Sequence, residues 1–81
     1  MALLLHDFSE LQEGDVLTGI NIPTGQQETF TVSRMTSETS GLFNRSGHGR
    51  LYILRFENSQ IISNDREIRI DANEVTKDRK I

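Results

Sequence analysis

Arg45, Arg50 and Arg55 stand in a stretch, 41–56, that holds no acidic residue, and Phe43, Tyr52 and Phe56 interleave with them. Guanidinium groups hold phosphates and aromatic rings stack on bases, so this pattern is one footprint of nucleic-acid binding. It is equally a footprint of protein contact, because arginine and aromatic residues are enriched at interfaces. His48, between Gly47 and Gly49, falls in the same stretch, and His6 is the only other imidazole. Two histidines so far apart make no metal-ligand spacing. No metal and no cofactor is expected.

Residues suited to catalysis are thinly spread. Glu13 with Asp15 and Asp65 with Glu67 are paired carboxylates. Neither pair has the apolar surround that would push two pKa values apart for acid and base roles. There is no cysteine for thiol chemistry, and no serine sits in a nucleophile elbow. Glycines 41, 47 and 49 are not followed by the Lys-Ser/Thr and helix of a phosphate loop. The chain therefore reads as non-enzymatic.

Charge separates the two contact readings. The 81 residues carry 12 acidic and 9 basic side chains, a net charge of −3. Residues 1–33 include Asp7, Glu10, Glu13, Asp15 and Glu28 and no lysine or arginine. Nucleic-acid domains are usually strongly basic, so the balance favours a protein partner. The acidic first third also suits mimicry of phosphate towards a basic partner.

The elements that must position these residues are strands. Val16, Thr18, Ile20 and Ile22 alternate with Leu17, Gly19 and Asn21. Ile22-Pro23-Thr24-Gly25 has the chemistry of a type I turn. Phe30 and Val32 share one face of a strand over 28–36, and Tyr52, Leu54 and Phe56 share one over 50–57. Leu51 and Ile53 on the opposite face suggest a central or bending strand. Turns at Asn58-Ser59 and Asn64-Asp65 bound strands over 60–63 and 66–70, and Val75 starts a last short one. Ser9 to Gln12 and Asp71 to Glu74 have capping-box spacing, each enough for one helical turn. The polar stretch 37–49 is expected to be a long loop. Its Leu42-Phe43 pair either folds back as a plug over the core or stays out as an anchor. Phe30, Val32, Leu54, Phe56, Ile68 and Ile70 are expected to be buried together.

Five short antiparallel strands in about 60 residues predict a small five-stranded all-β barrel, since closing the sheet removes exposed edges. Residues 1–76 are read as one domain and 77–81 as a frayed tail. The start of the chain lacks a signal-peptide pattern, and no segment offers the ~18–20 apolar residues of a membrane helix. With the absence of cysteine this favours a cytoplasmic setting.

The run Leu11-Gln12-Glu13-Gly14-Asp15-Val16-Leu17 resembles the first-strand start of SH3-like barrels. The resemblance implies fold class and no function. A short, acidic, cysteine-free β chain is also similar in style to the small stand-alone proteins of phages and mobile elements. The sequence thus points to a binding module that regulates or inhibits a larger protein or ribonucleoprotein. Its contacts are expected from Leu42, Phe43, Arg45, His48, Arg50 and Arg55. The alternative is a nucleic-acid-binding SH3-like barrel using Arg45, Arg50, Arg55 and Tyr52.

Overall fold

In a computed structural model, residues 2–4 are described by backbone alone and residues 8–78 in full. His6 lies outside the described residues. The chain is all-β, and the described strands form one antiparallel sheet that curls on itself. They are β1 (Ala2–Leu4), β2 (Val16–Asn21), β3 (Gln26–Met35), β4 (Ser40–Arg45), β5 (Leu51–Glu57), β6 (Gln60–Ser63), β7 (Arg69–Asp71) and β8 (Thr76–Asp78). The spatial order is β1-β8-β2-β3-β4-β5-β6-β7, so the expected count of five is replaced by eight short strands. Single 3₁₀ turns occupy Phe8–Glu10 and Ala72–Glu74. The Asp71 side chain accepts from the Asn73 amide at 2.9 Å, capping the second as its spacing suggested.

The largest departure from expectation is β4. Residues 40–45 fall inside the predicted loop 37–49, yet they pair with β3 on one side and β5 on the other. Polar and small residues are weak strand formers alone, but a strand inserted between two neighbours takes its conformation from their ladders. Gly41 is needed for that fit. A Cβ there would come within 2.7 Å of the Met35 Sδ and 3.0 Å of the Arg34 carbonyl, beside the register shift between Val32 and Arg34. Only short connections remain on either side of β4.

Alternation fills the interior from one face of each strand. Leu17, Phe30, Val32, Phe43, Tyr52, Leu54, Ile61, Ile68 and Ile70 are buried together, and Phe56 packs against them half-buried. On β2 the inner face is the one bearing Leu17, Gly19 and Asn21, while Ile20 and Ile22 stay exposed. Gly19 explains this choice. Its missing side chain lets β2 approach β7 and the following turn, where a Cβ would lie 2.8 Å from the Ile70 Cγ2 and 2.9 Å from the Val75 Cγ2. The Phe8 ring closes the core with centroids 5.6 Å from Phe43 and 5.5 Å from Phe56.

Turn chemistry follows the sequence closely. Gly14 takes φ +92°, and buried Asp15 accepts from the Gln12 amide at 2.9 Å. The β2–β3 turn starts one residue early, with the Asn21 carbonyl accepting from Thr24 and Gly25 at 3.1 and 2.7 Å. Asn58 and Ser59 both have positive φ, as a two-residue hairpin turn requires. The predicted tail begins too early. Residues 76–78 form β8, wedged between β1 and β2. Lys77 is buried there with its ammonium 3.7 Å from Glu10.

Candidate functional site

The curled sheet meets itself where β2 ends. The Ile22 amide donates to the Arg69 carbonyl at 2.8 Å. Asn21, wholly buried, donates from Nδ2 to the Glu67 carbonyl at 3.1 Å. Its Oδ1 accepts from the Arg69 amide at 3.0 Å. The same Nδ2 reaches Glu28 Oε2 at 3.1 Å, which leads into a polar network across this end of the curled sheet.

Strand parity places that network. Glu28 lies two residues before Phe30, Arg45 two after Phe43 and Arg50 two before Tyr52, so each continues an inward-facing row beyond the core. Arg45 grips Glu28 with two nitrogens, Nε donating to Oε1 at 2.8 Å and Nη2 to Oε2. Both side chains are about nine-tenths covered, at 10% and 9% exposure. The guanidinium holds the Glu28 carboxyl below its ordinary pKa, helped by Asn21 and opposed by burial. The Tyr52 hydroxyl accepts from Arg45 Nη1 at 3.2 Å and Arg50 Nη2 at 2.9 Å. The Arg50 guanidinium also lies 4.3 Å from the Tyr52 ring centroid, and Arg45 5.3 Å, both within cation–π range. His48 meets the ring edge-on at 6.2 Å. Glu67 Oε2 lies 3.6 Å from Arg45 and 3.8 Å from Arg50. Arg45, His48, Arg50, Tyr52 and Glu67 line an open hollow of about 500 Å³ together with Thr24.

Arg45, His48 and Arg50 therefore converge on Tyr52. Glu28, Glu67 and Asn21 were missed as their partners. Glu28 was legible as the only acid among the inward rows of β2 to β4, two residues from Phe30. Glu67 comes from the β6–β7 connection, and Asn21 ends β2 on its inward row, where a polar residue gives no sign of its partners. Arg45, named above as a contact residue, is not a free surface cation: it is buried against Glu28.

The other predicted contact residues go elsewhere. Phe43 has no exposed surface, so it is core and not an anchor. The adjacent Leu42 points to the outer face and is half-buried. One residue of strand separates a plug from a surface position, because successive side chains leave opposite faces. Arg55 lies on the outer face of β5, with Nη1 3.7 Å from Glu57. The basic and aromatic strip is thus divided. Its rings point inward and Arg45 is neutralised.

The outer face carries a feature the sequence showed only as an apolar surplus on β5. Leu51 and Ile53 are 48% and 47% exposed. Ile53 lies directly across from Leu42, and Leu42 across from Arg34. Arg55 continues the same outward row of β5. Among the described residues no group of three or more histidine or acidic side chains is placed to hold a metal. No helix there is long and apolar enough to cross a membrane. Known protein families, curated proteins and solved structures offer no match to this chain.

Proposed function

We propose that the chain is a non-enzymatic binding module that docks an acidic-rimmed apolar surface of a larger protein or ribonucleoprotein and regulates or inhibits it. The reading takes the curled sheet as an elaborated SH3-like barrel working in the cytoplasm. The observation that carries it is the outer face of β4 and β5. Leu51 and Ile53 are held nearly half exposed beside Leu42, with Arg34 and Arg55 on the same face. Isolated exposed apolar residues are ordinary, but a cluster rimmed by polar groups marks a contact surface. Apolar anchors within a charged rim are the arrangement of binding hot spots. Arg34 and Arg55 make the side of the rim next to Leu42 basic, so the complementary part of the partner is acidic, and opposite potentials speed its encounter. The phosphate-binding alternative is weakened because Glu28 neutralises Arg45 and the guanidiniums of Arg45 and Arg50 already cover the Tyr52 ring.

The test uses wild type, Leu51→Glu and Ile53→Glu as bait in the source cell, with a melt confirming that each is folded. The reading expects one partner with an acidic, apolar-centred surface, retained by wild type and lost by both variants. A partner retained by both variants overturns it. So does wild-type binding to DNA or RNA that weakens steeply with salt, which would return the function to the nucleic-acid alternative.

A further inference from the structure

On the outer face of β5, β6 and β7, Arg55, Ile62 and Arg69 form one cross-strand row. Arg66 comes from the β6–β7 turn. Pro23 comes from the β2–β3 turn, which the Ile22–Arg69 hydrogen bond draws alongside. With Glu57 and Gln60 these residues enclose a concave space of about 400 Å³. It is separate from the Tyr52 hollow and shares only Arg55 with the proposed docking face.

Three guanidiniums line this space against one carboxylate. Glu57 lies 3.7 Å from Arg55. Among the described residues, neither Arg66 nor Arg69 has a carboxylate within ion-pairing distance. Clustered like charges repel, and the surplus of two positive charges is matched by a dianion. Arg66 adds a second observation. Its φ is +62°, in the left-handed region where glycine or asparagine is at ease and other residues are strained. A strained residue with a charged head and no internal partner points to a role outside its own fold.

We propose that this pocket binds a small molecule ending in a phosphate monoester. At neutral pH such a group carries about −1.5 to −2 charges and three strong acceptor oxygens. Arginine forks match those oxygens in geometry as well as charge. Ile62 and Pro23 give the organic body an apolar surface to lie on. The volume falls in the range of about 300–1,000 Å³ usual for small-ligand sites. A polynucleotide suits the site less well, since its diester phosphates are single charges in a row and this pocket is one isolated surplus.

The test is a nitrogen-15 NMR titration of the full chain with phenyl phosphate, above the second phosphate pKa of about 6, with ionic strength held constant by chloride. Inorganic phosphate, benzoate and a short single-stranded oligonucleotide serve as comparison probes. Saturable shifts are expected at the arginine side-chain signals of Arg55, Arg66 and Arg69 and at Ile62. Inorganic phosphate should bind more weakly for want of the apolar body, and benzoate about tenfold more weakly than phenyl phosphate for want of charge and acceptors. Arg69→Ala and Arg66→Gly should each weaken phenyl phosphate about tenfold. Arg66→Gly should leave the melting temperature equal or higher, because glycine accepts the positive φ. Shifts that never saturate, or that spread equally to Arg34 and Arg50, overturn the proposal as general screening. Benzoate binding as tightly as phenyl phosphate overturns the phosphate assignment. An oligonucleotide binding more tightly assigns the pocket to nucleic acid instead. Loss of partner capture by Ile53→Glu with this titration unchanged separates the docking reading from the pocket.

Discussion

Replacing Arg45 by alanine should remove about 3 kcal/mol of folding stability, the low end of the ~3–5 kcal/mol typical when one member of a buried ion pair is deleted. The low end applies because Glu28 would keep its bond from Asn21 Nδ2 and Tyr52 its bond from Arg50. What is lost is the two-nitrogen grip on a carboxylate only 9% exposed, which leaves Glu28 charged and poorly solvated. A surface pair would be worth only about 0.2–1 kcal/mol, so the two cases are well separated. The chain as a whole holds roughly 4–12 kcal/mol at ~0.05–0.15 kcal/mol per residue. For a domain of this size 1 kcal/mol moves the melting temperature by about 4–8 °C, so a drop of roughly 12–24 °C is expected. Urea unfolding of wild type, Arg45→Met, Glu28→Gln and the double variant completes the cycle. The double variant should recover much of the single losses, because an apolar and a neutral side chain leave no unpaired charge. A loss below about 1 kcal/mol for Arg45→Ala, or additive losses in the cycle, would refute the buried-pair reasoning.

Three further outcomes follow from the same geometry. Glu28 has its pKa lowered chiefly by the hydrogen bonds from Arg45, so its stabilisation is complete above the ordinary 4.5 and is lost as pH falls through the lower folded value. Acid titration of stability should therefore be shallower in Glu28→Gln than in wild type; equal slopes would contradict the assignment. Phe43→Ala should cost about 3–5 kcal/mol by urea titration, as a wholly buried ring does, and a wild-type curve would return Phe43 to the surface. Gly19→Ala should cost about 1–3 kcal/mol by overpacking against Ile70 and Val75, and a stabilised variant would show that β2 and β7 are not in contact.

The sequence made strand faces and turns legible because both are local. The parity of Phe30 and Val32, and of Tyr52 and Leu54, is set by the pleat, and these residues are buried as the alternation required. Asn58-Ser59, Gly14 and the Asp71 cap work through contacts within a few residues. What escaped was set by partners distant along the chain. Strand β4 has weak intrinsic preference and exists because β3 and β5 hold it. The inner face of β2 was hidden because Ile20 and Ile22 look like core, while the close approach of β7 demands Gly19. Arg45 read as a surface charge because its acid lies 17 positions earlier. Of the six predicted contact residues, Arg45, His48 and Arg50 gather at Tyr52. Phe43 is core, and Leu42 and Arg55 occupy the outer face. Composition alone could not sort them, since the sorting follows from the register of strand β4.

Strand β8 lies between β1 and β2, although it is the last of these strands along the chain. Its consequence is kinetic. On a ribosome, β2 to β7 can begin pairing hairpin by hairpin as they emerge. The seam between β1 and β2 must wait for residues 76–78 to arrive from the far end of the sequence. Pairings across so long a separation pay their loop-closure entropy before any contact rewards it, and they slow folding. Until that seam fills, the outer edge of β2 stays unpaired and open to another chain. A circular permutant that links β8 directly to β1 and opens one of the tight hairpin turns would make these two strands neighbours in sequence. It would bring the seam forward in folding while keeping the strand order of the curled sheet.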